Sequence, residues 1–265
     1  MSVSLRKTAL VTGACSGIGR SLAQGLAARG YDLVLVSNRD VPLSEAAKEL
    51  SLQYGITALS IPMDLSSVDA ADSLYQQVSQ RGIEIEVLVN NAGIFFFGEI
   101  ADADPVIASR LVRLCVLTPS LLCTYFAKGM RARRSGRILM VSSISAFRDF
   151  PGIAYYGSSK KYLRGFSQAL RSELSVYGVS VTCLLPGATA TSLYDPNVVP
   201  VELAKKLGVM ADADSVSEQG LAALFSGQAE CIPGALNRVL SQLAESTPQP
   251  LIDLLRRHAP WLPPK

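Results

Sequence analysis

Thr8-Ala9-Leu10-Val11-Thr12-Gly13-Ala14-Cys15-Ser16-Gly17-Ile18-Gly19 is the stretch that decides the fold. A short β-rich apolar run ends in three glycines spaced G-x-x-x-G-x-G, and Leu22, Leu26 and Ala27 then recur on one helix face. Leu33-Val34-Leu35-Val36 follows as a second strand, so the first step is strand, helix, strand. Outward from there the alternation continues. Helices are expected from about Leu43 to Leu52, Ser66 to Val78 (capped by Asp64 or Ser66), Pro105 to Met130 and Ala154 to Val176. Strands are expected at Ala58–Ile61, Val87–Val89, Arg137–Val141 and Ser180–Leu185. These strands are nearly all apolar instead of alternating, as a parallel sheet covered on both faces requires. The reading is an α/β chain with an open, doubly wound parallel sheet and helices on both faces.

The chain of 265 residues fits one domain, 1–265. The regularity weakens after Pro186: a lid is expected at about 188–212, with a short helix over 200–210, and a Pro-rich tail at about 246–265 around a helix Leu251–Arg257. Apolar residues are 49% against 18% charged, which excludes a disordered scaffold. A net charge of +3 marks neither a nucleic-acid nor a membrane-surface binder, and the cluster Lys128, Arg131, Arg133, Arg134 and Arg137 reads as a solvated helix end. No run of 18 apolar residues and no signal-peptide core is found, so no transmembrane segment is expected. Five dispersed cysteines without a C-x-x-C pair argue for free thiols in a reducing, cytoplasmic compartment and against a metal site. The single histidine, His258, sits near the end, so chemistry falls to Ser, Tyr, Lys, Asp, Asn or Cys.

At a strand-to-helix turn the glycines Gly13, Gly17 and Gly19, with Ser16 and Ile18 between them, let a pyrophosphate approach backbone N–H groups and the positive helix end. The type of dinucleotide is decided at the end of the second strand, Ser37-Asn38-Arg39-Asp40. A carboxylate there accepts a ribose hydroxyl and repels a 2′-phosphate. Ser37 stands where the acid is expected and Arg39 can pair with a phosphate, which favours NADP(H). Asp40, 21 residues past Gly19, keeps NAD(H) open.

Tyr156 and Lys160 are spaced i, i+4, which stacks them on one helix face. A phenol beside an ammonium ionises more easily and can act as acid or base. Ser143, 13 residues before Tyr156 at the end of a strand, can donate to a carbonyl oxygen while the tyrosine transfers a proton. Each of these signals alone is common by chance.

Together they resemble the short-chain dehydrogenase/reductase family over about residues 6–235: Thr12–Gly19 as TGxxxGxG, Asp64, Asn90-Asn91-Ala92-Gly93 as NNAG, Ser143, Tyr156 and Lys160 as YxxxK, and Pro186-Gly187 followed by Thr191. The resemblance implies a Rossmann fold and hydride transfer between a nicotinamide and a carbonyl or alcohol substrate, and it puts Phe95-Phe96-Phe97, after NNAG, near the mouth of the substrate site, where an apolar pocket suits a lipophilic ketone. It implies Tyr156 as proton donor or acceptor, Lys160 on the nicotinamide ribose, and Ser143 on the substrate oxygen. It puts Asp64 and Asn91 near the adenosine half and Thr189 to Thr191 near the nicotinamide, with Asn38, Arg39, Leu65, Gly93, Lys160 and Gly187 also expected on the cofactor, in a homodimer or homotetramer. One departure stands out: Cys115 occupies the position where the family carries a relay asparagine, and its S–H is a poor substitute for an amide. Two rivals therefore accompany the reductase reading. One is a dinucleotide-binding regulatory or scaffold protein with a decayed relay. The other is an epimerase or dehydratase, against which the glycine spacing and the lack of a large C-terminal substrate domain speak.

Overall fold

The computed structural model describes residues 6–190 and 210–258, less the side chains of 253 and 255–258. Expectations for Thr191, for most of the lid with its helix, and for the last part of the tail lie outside the described residues. The strands are β1 (Thr8–Thr12), β2 (Asp32–Ser37), β3 (Ala58–Pro62), β4 (Ile85–Asn90), β5 (Gly136–Val141), β6 (Val179–Leu184) and β7 (Glu230–Cys231). They form one seven-stranded sheet in the order β3-β2-β1-β4-β5-β6-β7, every pairing parallel. Since β1 lies between β2 and β4, the chain winds outward in both directions from it, and the doubly wound Rossmann-like sheet read from the sequence is what the chain forms.

Alternate residues along each strand feed two cores. Ala9 and Val11 of β1 face one side with Leu22 and Leu26 of α1 (Gly17–Ala27), Leu43 and Leu50 of α2 (Asp40–Tyr54), and Leu221 of a later helix. Leu10 faces the other with Leu74 of α3 (Ala70–Ser79), Phe126 and Met130 of α5 (Thr118–Arg133), and Leu163 of α6 (Ala154–Ser175). Leu10, Leu22, Leu26 and Leu74 are fully buried, each worth about 1.5–3 kcal/mol relative to exposure.

Three expectations need correction. The third helix starts at Ala70, not Ser66, because the Asp64 carboxylate accepts the Ser66 N–H (2.9 Å) and hydroxyl (2.7 Å) and closes a local turn instead of capping a helix. The helix expected at Pro105–Met130 is α4 (Pro105–Val112) and α5 joined through one π turn, Arg113–Leu117. This whole run, Pro105–Arg133, has a mean hydropathy of 1.7 over its best window and is long and apolar enough for a bilayer, contrary to the sequence reading. Its Leu111, Leu122, Phe126 and Met130 nevertheless turn into the protein, as in a core helix. Beyond Met210 the sequence reading missed α7 (Ala213–Phe225), β7 and α8 (Ala235–Ser246), while α9 (Gln249–His258) matches the expected tail helix.

The basic cluster is also more than a solvated helix end. Glu86, only 8% exposed at its side chain, pairs with Lys7 (3.1 Å), Arg137 (3.5 Å) and Arg133 (3.6 Å) and accepts the Ser135 hydroxyl (2.8 Å). Burial alone pushes the Glu86 carboxyl up, but Ser135, Lys7 and Arg133 outweigh it and hold the group below its ordinary value of 4.5. Its contribution is therefore complete above that value and is lost as pH falls through the lower folded one. Glu86→Gln is expected to lower stability at pH 7 by about 1.5–3 kcal/mol, the range for hydrogen bonds to a charged group. In urea melts the gap from the wild type should narrow as pH falls below 4.5 and close once the folded-state carboxyl is also protonated.

Candidate active site

The site is built on a latch between the ends of β1 and β4. The Thr12 hydroxyl accepts the N–H groups of Asn91 (2.9 Å) and Ala92 (3.0 Å) and donates to the Val89 carbonyl (3.2 Å). The Asn91 carboxamide returns a bond to the Thr12 carbonyl (2.9 Å). Over this latch the glycine turn leaves room for nothing but backbone. A Cβ on Gly19 would stand 2.2 Å from the Gly13 carbonyl oxygen, and one on Gly13, at φ 67°, would meet Asn91 Nδ2 at 2.8 Å. The turn therefore presents bare backbone at the N-terminus of α1, which suits a phosphate group.

A cleft of about 830 Å³ opens here along the carboxyl ends of the strands. Gly13, Ser16, Gly17, Ile18, Gly19, Asn38, Arg39, Asp64, Leu65, Asn91, Gly93, Ser143, Tyr156, Lys160, Gly187 and Thr189 all line it, so each described residue named from the sequence is brought to one place. At one end Arg39 donates to the Ser16 hydroxyl (2.6 Å) and the Cys15 sulfur (3.0 Å), which folds its guanidinium over the glycine turn. Asp40 does not line the cleft; it opens α2 and is exposed. Nearby, Ser66 holds the Asp64 carboxyl below the usual carboxylate range, with Arg110 adding a pair at 3.3 Å.

At the other end the two serines after β5 divide their work. Ser142 donates to the Lys160 carbonyl (2.7 Å) and ties β5 to α6. Ser143, in extended backbone, turns into the cleft and accepts the Ser145 N–H (3.1 Å). Lys160 is 4% exposed; its ammonium donates to the Val141 carbonyl (2.9 Å) and lies 5.5 Å from the centre of the Tyr156 ring. Phe95 meets that ring edge-on at 4.9 Å. Cys115 is buried in the π turn, with its thiol 4.0 Å from the Ile94 carbonyl. Its sulfur and the Lys160 ammonium flank Gly93, at 3.5 and 3.7 Å from where a Cβ would stand.

The sequence reading missed part of the wall. Arg110 and Leu114 come from α4 and the π turn, Ser145 and Phe150 from the loop after β5, and Leu240, Ser241 and Ala244 from α8. The hydroxyl oxygen of Ser145 is buried without a hydrogen-bond partner among the described residues. None of these carried a motif. The one available signal was helical apolar spacing over Leu236–Leu243, which marks α8 as a helix without saying that it borders the cleft.

A family model described as short chain dehydrogenase matches residues 7–198. The uncharacterized oxidoreductase YmfI of Bacillus subtilis (strain 168) is 36% identical over 190 residues, covering 71% of this chain and 77% of that protein. Very-long-chain 3-oxoacyl-CoA reductase-A of Danio rerio is 33% identical over 73% of this chain, and the match spans 61% of that reductase. A short-chain dehydrogenase from Sphingobium yanoikuyae, solved in complex with NADPH, superposes with a TM-score of 0.79 at 27% identity over 92% of this chain and 97% of its own.

The glycine turn yields a direct test. Gly19→Ala should weaken binding of a dinucleotide at least about tenfold, since its methyl must displace the Gly13 carbonyl or the Asn91 carboxamide. Fluorescence titration of wild type and variant measures the difference, and circular dichroism verifies that both are folded.

Proposed function

The chain belongs to the short-chain dehydrogenase family and is an NAD(P)-dependent oxidoreductase; from that premise we propose that it moves hydride between NADP(H), in preference to NAD(H), and a lipophilic ketone or the corresponding alcohol. The observation that carries the proposal is the convergence of Ser143, Tyr156 and Lys160 on one end of a cleft whose other end holds the glycine turn and Arg39. A bound nicotinamide supplies or accepts the hydride at the substrate carbon. In the reducing direction the Ser143 hydroxyl donates a hydrogen bond to the substrate oxygen, and Tyr156 gives that oxygen its proton as the C–H bond forms. The Lys160 ammonium, held against the ring, offsets the phenolate charge left behind. In the oxidising direction the same groups take the proton from the alcohol.

Arg39 supports the cofactor preference. Its guanidinium already sits over the glycine turn, while the rival carboxylate of Asp40 does not line the cleft. The reacting end supports the substrate class: Phe95, Phe97, Phe150, Ile144, Ile153 and Leu240 wall it, and Lys160 is its cation among the described residues. Such a wall suits a neutral, apolar body beside the carbonyl. Cys115 favours a second reading. In the reading of the family given above, an asparagine stands at this position, and a buried thiol directed at the Ile94 carbonyl lacks the amide's donors. On that reading the chain binds the dinucleotide but turns over slowly or not at all.

NADPH is expected to bind the wild type more tightly than NADH in a fluorescence titration, and Arg39→Ala should cost NADPH about tenfold while leaving NADH unchanged. Tyr156→Phe should lower kcat on a ketone panel by about 10²–10⁴-fold with the NADPH Kd preserved. Full turnover by Tyr156→Phe would remove its assigned role. Tight NADPH binding with no turnover by the wild type on any ketone or alcohol would leave the second reading.

A further inference from the structure

Helix α8 is built inside out. Leu236, Val239, Leu240 and Leu243 recur on one face, yet they are 45–60% exposed. A surface helix ordinarily turns such a stripe onto the core. Here Ser241 is the one buried residue of the helix, and of the apolar stripe Leu240 alone lines the cleft, beside Ser241 and Ala244. No large apolar side chain anchors α8, so its seat beside the reacting end depends on polar contacts.

Arg164 supplies the most direct of them. It stands one turn beyond Lys160 on α6. Its Nε and Nη2 grip the Glu230 carboxylate of β7 at 2.8 and 3.2 Å, and its Nη1 reaches Glu245 in the last turn of α8 at 3.4 Å. Phe147, itself buried, lies flat against the guanidinium at 4.0 Å. One side chain thus fastens the helix that bears Tyr156 to the edge strand and to the wall of the cleft.

We propose that Arg164 is a positioning residue which, through Glu245, seats α8 against the cleft and so sets the bulk of ketone that the site accepts. This inference rests on the ketone-reductase reading for its substrate class. The Arg164–Glu245 pair is weak by itself, because Glu245 is 58% exposed. It counts because, among the described residues of α8, Ser241 alone is buried and Asn237 packs against Gly187, with no large apolar side chain inside. The contact from Arg148 to Gln249 (2.8 Å) and the buried Ile252 hold α9, so the tail stays in place when the clasp is released.

The test compares wild type, Glu245→Gln, Glu245→Lys and, as a charge control away from the cleft, Glu218→Gln. Amide hydrogen exchange is followed across residues 235–246, and kcat and KM are measured with NADPH on a small methyl ketone and a diaryl ketone. Both Glu245 variants should exchange faster in α8 alone. Their preference for the small ketone, as a ratio of kcat/KM values, should fall about two- to fivefold, more in Glu245→Lys, with kcat on the small ketone and the NADPH Kd unchanged. In 1 M salt the wild type should move toward the variants. Unchanged exchange in α8 overturns the clasp, and faster exchange with an unmoved ratio overturns its part in selectivity. If the wild type reduces no ketone, the functional reading fails, and the exchange measurement still decides whether Arg164 seats α8.

Discussion

One oxygen, the Thr12 hydroxyl, joins the two halves of the sheet at the point where the chain reverses its winding. By accepting two N–H groups from the end of β4 and donating to a carbonyl of the same strand, it uses its full hydrogen-bonding capacity in a site 2% exposed. Neighbouring strands β1 and β4 send their chains in different directions beyond that point, and the cleft is the gap this leaves. Everything on the cleft floor is referred to the latch. The Asn91 carboxamide that closes it is also the group against which Gly13 and Gly19 are packed. A side chain on either glycine would therefore disturb both the turn and the joint between the halves.

Along the cleft the electrostatics divide. Arg39, Asp64 and Arg110 stand at the end near the glycine turn, partly open to water, where their pairs are individually weak. Lys160 is buried at the other end and surrounded by aromatic and aliphatic side chains. The Val141 carbonyl accepts a hydrogen bond from its ammonium, and the Tyr156 ring lies 5.5 Å from it. In such surroundings a cation acts more strongly on a neighbouring phenolate than it would in water.

What could be read from the residues was whatever depends on local spacing. The first strand, glycine turn and helix were plain because a short continuous apolar run gives way to a period of 3.6 across three glycines. Tyr156 and Lys160 share a helix face by arithmetic alone. The start of α3 was misread because Asp64 satisfies Ser66 locally, and an aspartate before a helical stretch looks the same whichever N–H it accepts. The π turn at Arg113–Leu117 left no mark, since one extra residue in a turn barely alters an apolar pattern of that length. The choice between Arg39 and Asp40 needed three dimensions: they are adjacent, and only the backbone direction at the end of β2 decides which reaches Ser16. The cleft wall from α8 was hidden for the opposite reason. Its apolar stripe reads as a buried face and is an exposed one, of which Leu240 alone borders the cleft.

The latch also fixes an order of events in synthesis. Thr12 and Asn91 are 79 residues apart, and the sheet contains no antiparallel hairpin that could form on its own. As the chain emerges from its N-terminus, β2 can dock on β1 early, while the other flank of β1 waits for β4. Until then the glycine turn has no Asn91 to pack against and the Thr12 hydroxyl lacks its two donors. The pocket for a pyrophosphate is thus a product of the assembled sheet, although its signature is written in a dozen consecutive residues. A nascent chain that ends before Ile85 carries the whole of that signature without the strand and the Asn91 carboxamide that shape it.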